Sequence, residues 1–290
     1  MKEFAPSTAS KFWPPDWYMD QVNNSFVRKE FVINTDQNGF IKPHADCGEC
    51  RNNLVVLGDS VVESMYMDES LRMCSALDRK INYISQDELR VLNAGYSGST
   101  LLHMFNILLN KILPLRPTAI LVMAGIVDVD AVARKASFWS KDKWLEPIIS
   151  LDSDNPFRDN DNADEPRFQH RYAILALIHK LSLEFALPIY FATVPHLQIY
   201  EGEWVSSRIT KEEFRNIANS RRLINNTTRK FCIKNDITLF DLELALMDRN
   251  DIFYDYFHFN ELGGEAAAQA LMDGGLVTAL RFALEQGQTA

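Results

Sequence analysis

From residue 53 onward, short apolar runs alternate with stretches of helical periodicity. The runs occupy 53–57, 90–94, 119–123, 188–193 and 237–240. Each is short and rich in Val, Ile and Leu, as strands buried on both faces are. Helical patterns follow over 62–84, 99–113, 129–139, 167–185 and 211–235, with a last one from about 261. Such alternation predicts an α/β fold: a doubly wound parallel sheet of about five strands with helices on both faces. In a sheet of that kind, functional groups gather at the carboxyl ends of the strands.

The region before the first run reads differently. Trp13-Pro14-Pro15-Asp16-Trp17 is unsuited to a regular helix interior, and its aromatics are expected to pack on the main body. Residues 30–34 predict a short strand, with a turn at 36–39. We therefore divide the chain into an N-terminal extension, 1–50, and a main domain, 51–290. With 290 residues, 47% of them hydrophobic, the chain can bury a sizeable core.

The formal net charge of −9 argues against nucleic acid and anionic membranes as partners. No apolar run approaches the ~20 residues needed to span a bilayer. The first 20 residues lack a basic segment followed by an apolar core, which points to the cytoplasm. Cys47-Gly-Glu-Cys50 is a CxxC with no second CxxC or His pair nearby to complete a metal site, so none is expected. The acidic stretch 152–165 lacks the spacing of a calcium loop and reads as a solvated surface loop.

Four segments at predicted strand ends carry chemistry. The first is Gly58-Asp59-Ser60. Taken alone, Ser60 is a natural helix N-cap; as a nucleophile it needs a base and a group to orient that base. Asp255 and His258 supply such a pair, three residues apart just before a helix. That spacing lets the carboxylate fold back onto Nδ1–H and leaves Nε2 free. The third segment, Asn93-Ala94-Gly95-Tyr96-Ser97-Gly98-Ser99-Thr100, holds two glycines that permit a tight turn with an outward N–H. It also holds a rival nucleophile, Ser97, in a near match to G-x-S-x-G. Otherwise it is a turn capped by Ser99 or Thr100. The fourth is Gly125-Ile126-Val127-Asp128, which alone reads as a β–α turn with Asp128 as cap. His196, after the fourth run, is a further pocket candidate.

In this order, the segments resemble the blocks of the GDSL, or SGNH, hydrolases, a family of lipases and esterases. The resemblance spans roughly 53–275. It implies a three-layer α/β/α, flavodoxin-like fold of SGNH-hydrolase type. It favours Ser60 over Ser97 as nucleophile, with His258 as general base and then acid, and Asp255 as its orienter. It also implies the Ser60 and Gly98 backbone amides as oxyanion donors and no metal or organic cofactor. Asp59, Val127 and His196 are expected to line the substrate pocket. Val127 departs from the pattern, because the family's third oxyanion donor is an Asn at that position. Valine has no side-chain donor, so Asn93 and Asn260 are the candidates to replace it. The expectation is an esterase acting on short acyl or acetyl esters, of small molecules or carbohydrates, through an acyl-serine. The alternatives are acyl transfer from the same serine, or a binding protein that has lost turnover.

Overall fold

The computed structural model describes residues 2–43, 52–85, 89–134, 136–142, 145–147, 149, 151 and 168–287. Cys47, Cys50 and the acidic stretch 152–165 lie outside these. Two short strands, β1 (Ala9–Phe12) and β2 (Phe31–Asn34), pair antiparallel in the N-terminal region. The main sheet holds β3 (Asn52–Gly58), β4 (Leu89–Gly95), β5 (Ala119–Met123), β6 (Ile189–Ala192) and β7 (Leu239–Phe240). All five are parallel, in the order β4-β3-β5-β6-β7. The doubly wound α/β sheet expected from the alternation is the one observed. The last two strands are shorter than their apolar runs.

The unbroken apolar runs have a direct structural cause. Along β3, Leu54 and Val56 enter one core while Val55 and Leu57 enter the other. Along β5, Leu121 and Met123 face the first core, Ile120 and Val122 the second. The first core contains residues of helices Met73–Ser85 and Glu261–Asp273; the second those of Leu101–Ile107 and Gln169–Glu184. Both faces of the central strands β3 and β5 are covered, so period-2 alternation disappears from their sequences.

Several helical stretches are interrupted where the chain serves the site. The pattern over 62–84 is two helices, Ser60–Glu63 and Met73–Ser85, with a 3-10 turn at Glu69–Leu71 between them. Ser64 ends the first in a left-handed conformation, φ 51°. The fully buried Arg72 holds the bend: its guanidinium donates to the Ser64, Met67 and Val32 carbonyls. The 99–113 pattern is α-helical over Leu101–Ile107 and widens to a π turn over Leu108–Ile112. Pro114 follows directly; its ring is incompatible with the regular register one turn back. The 129–139 pattern begins earlier, as helix Ile126–Val132, and ends in a 3-10 turn at Ser137–Trp139.

In the N-terminal region, Trp13 and Trp17 are 58% and 56% exposed, contrary to the expected packing. Tyr18 is the buried ring instead, set edge-on or tilted against Phe26, Tyr66 and Tyr254. Among the described residues, no helix is long and apolar enough to cross a membrane.

Candidate active site

Register brings the strand ends together. Gly58 at the end of β3 lies opposite Gly95 of β4 and Met123 of β5. The chain switches sides of β3 here, the place where open α/β sheets build their sites. Ser60 is the first residue of its short helix and does not cap it. Asp59 is the N-cap, accepting the Val61 amide at 3.0 Å. The other Asp59 oxygen accepts the Ile126 amide at 3.2 Å, tying β3 to the turn after β5. Asp59 is fully buried beneath the serine and does not line the pocket as expected. Burial pushes its carboxyl up to about 6, with the Val61 amide acting in the opposite sense.

Asp255 and His258 ride on a small loop closed by the Phe253–Phe259 bridge. One Asp255 oxygen accepts the Phe257 and His258 amides at 2.8 and 2.7 Å, and the other lies 2.6 Å from His258 Nδ1. A carboxylate only accepts, so Nδ1 carries the hydrogen and Nε2 is left as an acceptor. His258 Nε2 lies 2.8 Å from Ser60 Oγ. Burial works to raise the Asp255 carboxyl, but His258 and the two amides outweigh it and hold the group below its ordinary value. The imidazole sits between the Tyr254 and Phe257 rings, with centroids at 5.7 and 4.2 Å. The loop is clamped from outside: the Asn23 amide donates to Tyr254 O, the Asn23 side chain to Phe253 O, and the Leu197 amide to Tyr256 O.

The turn after β4 places Ser97 and Gly98 in the same pocket as Ser60 and His258. Gly98 has φ 75°, a left-handed conformation that favours glycine. Its carbonyl accepts from the buried Lys2 Nζ at 2.9 Å. Burial lowers the Lys2 ammonium from its ordinary value, opposed by Glu146. Thr100 caps the following helix, with His103 answering in a capping box. Val127 lines the pocket. Asp128, the next residue, is buried, accepts the Leu101 amide at 2.9 Å and pairs with the buried Arg171 at 3.0 Å. It caps its neighbour's helix, not its own.

Neither asparagine lines the pocket. Asn93 spends its amide on Val62 O, at 2.8 Å, and Asn260 spends its own on Asp251 O, at 2.7 Å. His196 is also elsewhere. It is 1% exposed, lies 3.7 Å from Glu243, and is pushed down to about 3 by burial.

The pocket, about 260 Å³, contains residues that sequence reasoning passed over. Glu63, Tyr18, Tyr66, Tyr254, Phe257 and Asp130 all line it. Glu63 had one available signal: it stands at i+3 from Ser60 within a single helical turn, hence on the same face. Its carboxylate accepts from Ser97 Oγ. Burial pushes the Glu63 carboxyl up to about 7, partly offset by Ser97, His258 and Arg72. Ser97, the rival nucleophile, is thus engaged with a carboxylate and not with the imidazole.

A five-stranded parallel sheet with these loops at its carboxyl edge is the fold of the GDSL/SGNH hydrolases. Solved structures carry that likeness. An acetyl xylan esterase superposes with a TM-score of 0.51 at 13% identity, over 77% of this chain and 99% of its own. A lipase/acylhydrolase from Enterococcus faecalis gives 0.50 at 17%, over 77% and 96%. A protein from Parabacteroides merdae described as a GDSL-like lipase gives 0.53 at 11%, over 81% and 99%. No protein-family model matches the sequence, and no curated protein does.

Proposed function

We propose that the protein is a serine esterase that cleaves small carboxylic esters through an acyl-serine intermediate. The observation that carries this reading is the unbroken hydrogen-bonded chain from Asp255 through His258 to Ser60. Nε2 of His258 takes the Ser60 proton as Oγ attacks the ester carbonyl. Asp255 holds the tautomer and stabilises the imidazolium that forms. The imidazolium then protonates the leaving alcohol. In the second half, neutral His258 takes a proton from water, hydroxide character attacks the acyl carbon, and Ser60 leaves with the proton returned.

The Ser60 and Gly98 amides are assigned to the oxyanion. Neither donates to another described residue, and both residues border the pocket. Val127 leaves this hole one donor short of the family pattern, which lowers kcat by ~10²–10³ without abolishing turnover. We assign 1–50 to an extension that serves the 51–290 domain: it contributes Tyr18 to the pocket wall, Asn23 to the Asp255 loop and Lys2 to Gly98.

The test is p-nitrophenyl acetate turnover together with labelling by a fluorophosphonate. Modification at Ser60, lost in Ser60→Ala, is expected. A folded protein that neither turns over nor labels would instead be a binding protein, the reading Val127 favours. Asp255→Asn is expected to leave the fold intact and reduce kcat by about 10⁴, through the wrong imidazole tautomer.

A further inference from the structure

Glu63 stands in the wall of the Ser60 pocket with only half of its carboxylate engaged. One oxygen accepts from Ser97; the other, Oε1, is buried without a hydrogen-bond partner among the described residues. The residue is 1% exposed. Native structures rarely leave a buried acceptor unanswered, and an orphan of this kind in a pocket points to a ligand group. Ser60 and Glu63 lie one turn apart on one helix face, about 5–6 Å between Cβ atoms. A hydroxyl on the second carbon of an ester's alcohol part lies at a comparable scale from the scissile carbonyl.

We propose that Glu63, with Ser97 beside it, is a recognition site for a hydroxyl group next to the scissile ester, so that the preferred substrates are small hydroxylated esters of polyol or sugar type. The proposal rests on the esterase reading and deepens it. The pocket's size agrees: about 260 Å³ lies below the ~300–1,000 Å³ of drug-sized sites and leaves little room for a long acyl chain. Its other walls, Tyr18, Tyr66, Tyr254 and Phe257, offer apolar ring surface of the kind that packs against a polyol's C–H groups.

A hydroxyl fits better than an ammonium for two reasons. The pocket's carboxylates already have cations near them: Arg72 acts on Glu63, and Arg134 and Arg221 act on Asp130. In addition, burial raises the Glu63 carboxyl to about 7, toward its protonated form. A carboxyl in that condition both accepts and donates, as a hydroxyl does, whereas an ammonium only donates.

The experiment compares two near-isosteric acetates, 2-hydroxyethyl acetate and propyl acetate. With the intact chain, kcat/KM is expected to favour the hydroxyl ester by ~10- to 100-fold, because the analogue without the hydroxyl leaves a buried acceptor unpaired. In Glu63→Leu, the ratio is expected to fall to about one. A ratio within one protein is unaffected by the fraction that folds. Equal rates with the intact chain overturn the proposal, as does a preference that survives Glu63→Leu. Faster turnover of acetylcholine than of either ester overturns it in favour of a cation site. Failure of the esterase reading looks different: neither ester turns over and Ser60 resists the fluorophosphonate. The subsite is then read by saturation-transfer NMR with methyl β-glucopyranoside. Transfer to the intact chain, lost in Glu63→Leu, supports it; equal transfer, or none to either, overturns it.

Discussion

Replacing Glu63 by glutamine should make the protein more stable above neutral pH, by an amount the structure sets. The carboxyl is buried and its pKa rises from 4.5 to about 7, chiefly through desolvation. In the unfolded chain the group has lost its proton above about pH 4.5, while in the fold it keeps it to about pH 7. Between those values the folded state binds more protons, so stability falls as pH rises. At about 1.4 kcal/mol per unit, the accumulated loss is about 3 kcal/mol, fully developed above pH 7 and absent below pH 4.5. Glu63→Gln keeps the shape and an acceptor for Ser97 but cannot ionise. Its stability relative to the parent should therefore climb by about 3 kcal/mol from pH 4.5 to pH 8. Urea denaturation of both proteins across that range measures the difference, in which other titrating groups largely cancel. Of the groups that sense the Glu63 charge, Tyr18, Tyr66, Tyr96 and Tyr254 are all raised by burial and stay neutral throughout this range. Curves that run parallel from pH 4.5 to 8 would refute the argument, because they would mean the carboxyl is as well solvated in the fold as outside it.

Three further outcomes are expected. Val127→Asn should raise kcat on p-nitrophenyl acetate by ~10- to 100-fold by restoring an oxyanion donor; an unchanged or lower kcat would show that another group already fills the hole. Arg171→Met should lower stability by ~3–5 kcal/mol in urea denaturation, because it strands the buried Asp128 carboxylate; a loss under 1 kcal/mol would mean that Asp128 is protonated in the fold. Gly95→Ala should lower stability by ~1–3 kcal/mol and weaken Ser60 labelling, since a Cβ there would lie 2.2 Å from the Glu63 backbone nitrogen; normal labelling would argue that the Ser60 helix shifts freely.

The architecture was open to sequence reasoning because it rests on repetition. Five short, mostly apolar runs demand cover on both faces, and cover on both faces demands helices between parallel strands. Ser60, Asp255 and His258 were legible for a related reason. Each lies beside a strand end or a helix start, and the i, i+3 spacing of Asp255 and His258 is enough for a carboxylate to reach an imidazole. Local spacing also determined the Thr100 cap and the left-handed glycine at Gly98.

Other features depended on where separate segments meet. Asp59 and His196 stand next to strand ends in sequence, yet both face inward, because a β–α turn points some residues at the cleft and buries their neighbours. Asn93 and Asn260 carry the right amide for an oxyanion hole, but backbone carbonyls 31 and 9 residues away take it. Glu63 reads as an ordinary helical glutamate until the β4 turn brings Ser97 against it and Tyr18 of the N-terminal extension closes over the pocket. Periodicity records how each segment is covered, and so the sequence alone determined the sheet, its layers and the edge where chemistry collects. Which polar atoms at that edge are satisfied, and which remain open to a ligand, follows from contacts between residues distant along the chain. Only the tertiary structure decided those.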